Sequence, residues 1–239
     1  MGEECPRWPS LQVNHGVPRL NFVVEGQTEE TFVRDVLAEH LAVHGVYAVA
    51  RCVETSRTRL KIFKGGMSTY ARAKGDIERW LKEDRKAYLT TMFDLYGLPE
   101  DFPNMAKKSS VNDPHKKAQL IEKGIAADIP DPRLIPYIQV HEFEALLFCA
   151  PAITDAALGS PPAVSKLKDL QQISGAFPSP EHIDEGSDTA PSKRIVQLYT
   201  AYRKQVFGPL ITKRTGLNTL RQQCPHFHAW ISKLEALAK

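Results

Sequence analysis

Four carboxylates stand where apolar runs give way to turns. Glu25 follows Arg-Leu-Asn-Phe-Val-Val (19–24), Asp94 follows Tyr-Leu-Thr-Thr-Met-Phe (88–93), and Glu142 and Glu144 follow residues 134–140. Each run has the length and the aromatic or β-branched content of a buried strand. Ligands of open α/β sheets bind beyond the carboxyl ends of the strands, so three such strands would bring acids to one rim. Hard divalent cations take oxygen ligands, and magnesium uses a few carboxylates while keeping waters for a substrate phosphate. A single acid after a strand is more often a helix cap or a solvated turn. Three coincidences favour a magnesium or manganese centre for phosphodiester chemistry.

Neighbouring residues refine that site. Glu142 and Glu144, two apart, cannot share a helical face. One is expected as the ligand and the other as a cap or supporting partner, with Glu142 preferred because it is nearer the strand end. His141 is a candidate general base or phosphate contact, or equally a helix cap. Ser192-Lys193-Arg194 opens a helix, where free amides and two cations suit phosphate. Lys213, Arg214 and Arg221 extend that basic surface. Cys224-Pro225-His226-Phe227-His228 lacks a second ligand pair at zinc-finger spacing, so His226 is expected as a phosphate contact or a packed histidine.

The elements that must position these groups follow from periodicity. After the strand at 19–24, apolar residues Phe32, Val33, Val36, Leu37 and Leu41 recur at helical spacing from Thr28, a candidate N-cap, to about His44, with Gly45 the stop. Residues 46–53 and 59–63 are expected as strands, Gly65-Gly66 as a turn and 68–86 as an amphipathic helix. Residues 95–114 form a long loop, of the kind that carries function, before a helix at 115–126. Beyond residue 150 the strand signals stop, and helices are expected near 163–174, 192–206, 213–223 and 226–238. Strands alternating with helices define an α/β fold with a mostly parallel sheet flanked by helices. Residues 1–17 are expected as an arm, 18–150 as the α/β core and 151–239 as a helical extension packed on it.

Charge is segregated along the chain. Residues 51–86 carry eleven Lys or Arg against five acids and 193–239 carry nine against Glu235, whereas 87–192 carry fifteen acids against eight bases. That pattern suits an acid-lined metal centre flanked by surfaces that attract a polyanion, DNA or RNA. No apolar stretch is long enough for a membrane span, and no leader is evident at the N-terminus. The four scattered cysteines suit a reducing cytoplasm. No phosphate-loop or dinucleotide pattern is present, so any ATP-driven step needs a separate ATPase partner.

At these residues the chain resembles a known family. Val24-Glu25-Gly26-Gln27-Thr28-Glu29 is similar to the first motif of the Toprim domain of overcoming-lysogenization-defect (OLD) nucleases, in which a Glu-x-x-x-Glu pair contributes to a metal site. Phe93 to Pro99 with Asp101-Phe102-Pro103, Tyr137 to Phe148, Ala190 to Arg194, and Cys224 to Phe227 resemble a bacterial Toprim-like protein family related to those nucleases, over about residues 19–232. The resemblance implies a Toprim-like fold and a centre in which Glu25 and Asp94 bind metal while Glu29 and Glu142 complete or orient the shell. Toprim relatives use Asp-x-Asp here, but this chain has Asp94-Leu95-Tyr96, and a phenol binds magnesium poorly. Glu142 or Glu144 is expected to supply the missing oxygen.

The expectation is metal-dependent hydrolysis of nucleic acid, in defence against phage or mobile elements by analogy with those relatives. The alternatives are a non-catalytic nucleic-acid or nucleotide-binding module, or a subunit acting with an ATPase. Homo-oligomerisation stays open.

Overall fold

The computed structural model describes residues 16–57, 62–64, 68–159, 164–183, 186 and 188–239. Most of the expected N-terminal arm, the start of the 59–63 strand and the Gly65-Gly66 turn lie outside them. A parallel sheet runs in the order β2 (Tyr47–Cys52), β1 (Arg19–Val24), β5 (Tyr88–Asp94), β6 (Leu134–Ile135), with β7 (Ile138–Gln139) pairing further along β5. β6 and β7 are one edge strand interrupted at Pro136, which has no N–H to give to a ladder. β3 (Glu54–Arg57) and β4 (Ile62–Lys64) form a separate antiparallel pair.

Alternation along β1 divides two cores. Leu20, Phe22 and Val24 share one with Phe32, Leu37, Leu41, Phe227, Trp230 and Leu234. Val23 faces the other, with Leu89 and Phe93 from β5, Ile77 and Trp80 from α3 (Tyr70–Glu83), and Ile121 and Ile125 from α5 (Pro114–Asp128). Both faces are thus covered, which an all-parallel sheet requires.

The first helix runs as α1 (Gln27–Phe32), a π-helical turn (Val33–Leu37) and α2 (Ala38–Val43), ending at Gly45 with φ of 77°. Its N-cap is Gly26, whose N–H donates to Glu29 Oε2 at 3.1 Å, and Thr28 is buried instead of capping. Within the 95–114 loop one short turn forms, α4 (Met105–Lys108). The Phe143–Cys149 segment is 3-10 helical and leads into α6 (Pro151–Leu158), α7 (Leu167–Gly175) and α8 (Pro191–Leu198).

Helix boundaries beyond residue 190 differ from those expected. α8 ends at Leu198, and a new helix, α9 (Lys204–Thr215), contains Pro209. The N–H that Pro209 lacks would serve residue 205, in the first turn of the helix, and Gln205 is an exposed residue. α10 (Leu217–Gln223) and α11 (Pro225–Glu235) then return to the sheet and close the β1 face. Leu147, Phe148, Leu170, Ile195 and Ile211 form a third core beside it. No helix among the described residues is long and apolar enough to cross a membrane.

Candidate metal centre

The parallel register sets Val24 beside Met92 and Asp94 beside Gln139, so Glu25, Asp94 and the segment after β7 leave the sheet at one rim. The Asp94 N–H lies 3.4 Å from Glu25 Oε2, and Asp94 Oδ1 accepts from the Phe143 N–H at 2.9 Å. Glu29 enters from the first turn of α1 and Glu144 from the 3-10 segment. At their common point sits the ammonium of Lys204, 3.0 Å from Asp94 Oδ2, 3.3 Å from Glu144 Oε2 and 3.5 Å from Glu29 Oε1. Tyr202 donates to Glu144 Oε1 at 3.2 Å.

Two backbone features bring these elements together. His141 has φ of 60°, a left-handed conformation uncommon outside glycine, and its carbonyl accepts from the Tyr96 N–H at 2.9 Å. The chain turns sharply there, which seats Phe143 N–H on Asp94 and carries Glu144 inward. Gly208 lets α9 approach closely: a Cβ there would lie 3.1 Å from both Phe143 Cε1 and Thr28 Cγ2. Lys204, one turn earlier on α9, is thereby held over α1 and the 3-10 segment.

Acids outnumber the cation at this centre. Burial, then the neighbouring Asp94 and Glu29 charges, push the Glu25 carboxyl up to about 8. Burial likewise lifts Glu144 to about 7, against the pull of Lys204. Glu29 is raised by burial and by Asp94. Burial opposes the charge on Lys204, but Asp94, Glu144 and Glu29 outweigh it and hold the ammonium above the ordinary lysine range. Glu29 Oε1 and Glu144 Oε2 are buried, and the Lys204 ammonium is their ion-pair partner. Carboxyl oxygens in excess of positive charge are, once ionised, a donor set that fits a hard divalent cation. Lys204 stands where the oxygens of Asp94, Glu144 and Glu29 converge.

The other anticipated residues lie elsewhere or turn away. Glu142, preferred to Glu144 from sequence, accepts from Ser192 N–H at 2.9 Å and Ser192 Oγ at 3.0 Å. The anion at the start of α8 is therefore this carboxylate, in place of a phosphate. Lys193 is exposed on that helix, whereas Arg194 donates to the Thr189 carbonyl at 2.7 Å and lies over the Phe177 ring. Lys213 is exposed at the end of α9. Arg221 is tied to Glu235 and Ser232. His226 is packed: its Nε2 lies 2.8 Å from Glu122 Oε1 and its ring stacks on Tyr137. His141 is buried at the turn, and the Tyr96 side chain points outward, 43% exposed. Lys204 was not singled out from sequence, being one base within a basic stretch. Only the fold reveals that its helix begins above the rim.

An α/β protein with an acidic centre at the strand ends is the class that fold and site define. The chain belongs to the family described as a domain of unknown function (DUF4276), whose model matches residues 24–235. Comparison with curated proteins gave no match, and comparison with solved structures gave none.

Proposed function

We propose that the chain is a metal-dependent phosphodiesterase acting on nucleic acid, with magnesium or manganese held by Glu25, Glu29, Asp94 and Glu144. The observation that carries this reading is that Asp94, Glu144 and Glu29, from neighbouring strand ends, meet at the Lys204 ammonium, with Glu25 beside them at the Asp94 N–H. A bound divalent ion supplies Lewis-acid activation of water and charge neutralisation at phosphorus. Asp94 is oriented for this task by the Phe143 N–H, and Glu29 by the Gly26 N–H. Lys204, whose side chain is 38% exposed, is able to swing outward and neutralise a phosphate oxygen. The Toprim-like and defence assignments rest on the sequence resemblance.

The test is cleavage of single- and double-stranded DNA and RNA with magnesium, manganese or calcium. Cleavage with the first two, lost in folded Asp94→Asn, supports the proposal; equal cleavage by both proteins refers the activity to another site or a contaminant. A second reading draws on Lys204 itself, since an ammonium already seated among the acids suits a centre that binds nucleic acid or a nucleotide without hydrolysing it. Binding without turnover, alone or with an ATPase partner, would favour that reading.

A further inference from the structure

The helix that starts at the acidic rim runs back along the sheet and ends near the amino ends of the strands. Glu29 and His44 are separated by roughly 20 Å of helical rise. At that end His40 and His44, four residues apart, present their rings together, with centroids 4.7 Å apart. Glu235, the last residue of α11, meets them: its Oε1 lies 2.6 Å from His40 Nε2 and 3.5 Å from His44 Nε2. One ligand atom from each residue fits a group in which all lie within 4.8 Å of one another. The two helices are fixed beneath by Leu37, Leu41, Ile231 and Leu234, all buried in one core. The three side chains are 24%, 38% and 13% exposed, open enough for an ion to reach.

Two imidazole nitrogens and one carboxylate oxygen are borderline donors, unlike the all-oxygen centre at the rim. They suit zinc with solvent as a further ligand, and histidines four apart on a helix can share one ion. We propose that His40, His44 and Glu235 form a zinc site that clasps the end of α2 to the end of α11. The ion sits between the two rings and the carboxylate, in place of the direct His40 Nε2–Glu235 Oε1 contact. Arg221 donates to both Glu235 oxygens, through Nη1 to Oε1 and through Nη2 to Oε2 at 3.1 Å, so it fixes the plane of the carboxylate, shares Oε1 with the ion and opposes the ion's charge. The clasp joins residues near the two limits of the family domain, so zinc binding adds to folding stability.

Zinc titrated into the metal-free full chain, followed by calorimetry and thermal melting, tests this. The expected result is one equivalent that raises the melting temperature, with affinity reduced at least about tenfold in His40→Ala and His44→Ala. Equal affinity and an equal melting shift in both variants would overturn the site. Should either variant fail to fold, the ring nitrogen resonances of His40 and His44 decide in the unaltered protein. Shifts of both at one equivalent of zinc support the clasp, and unmoved resonances refute it.

Discussion

At the residue scale the centre is governed by an imbalance of charge. Glu25 and Glu144 hold protons in the folded chain to about pH 8 and 7, whereas unfolded glutamates release them near 4.5. The native state therefore binds more protons across that interval, and the stability this confers is complete below the unfolded value and lost as pH rises through 7 and 8. Denaturant titrations without divalent ions are expected to show falling stability from pH 5 to 8, with manganese flattening the slope. A pH-independent profile would contradict the burial of these acids. Lys204→Met removes the competing cation and is expected to strengthen manganese binding while lowering any cleavage; weaker manganese binding would show that Lys204 supports the metal. The location of Glu25 and Asp94 was legible because a strand end is a local signal. The choice between Glu142 and Glu144 was not, since distance along the chain from β7 says nothing of the left-handed turn at His141 or of Ser192, fifty residues away.

At the element scale the rim depends on how closely α9 lies on α1. Gly208→Ala places a methyl group against Phe143 and Thr28, and overpacking of this kind costs about 1–3 kcal/mol. Chemical denaturation is expected to show that loss, together with a change in manganese affinity as Lys204 shifts. Unaltered stability would mean that the contact yields freely. Short apolar runs disclosed β1 and β5, and helical spacing disclosed the long first helix through its π-turn. Pro209 concealed α9, because proline is ordinarily a helix breaker and only the exposure of the preceding turn makes it tolerable here. The motif residues Asp101, Phe102 and Pro103 prove to be packing and capping groups: Asp101 accepts from the Tyr70 N–H at 2.9 Å through each oxygen, Phe102 is buried, and Gly124 leaves room for Pro103.

At the scale of the whole molecule, an acidic centre lies within a chain of net charge +3 whose bases are concentrated in residues 51–86 and 193–239. Of the basic residues anticipated as contacts, Lys193 and Lys213 are exposed, while Arg194 and Arg221 are held by neighbours. Lys193→Gln is expected to reduce the salt dependence of nucleic-acid binding by about one phosphate contact, and Arg194→Gln to cost about 1 kcal/mol of stability through its lost aromatic contact. A salt titration and a thermal melt separate the two. The central claim is that four carboxylates and Lys204 form a metal centre, and anomalous diffraction from crystals soaked in manganese tests it most directly. The account requires a peak among Glu25, Glu29, Asp94 and Glu144 with Lys204 withdrawn; saturating manganese that leaves Lys204 seated on Asp94, with no peak between the acids, would contradict it.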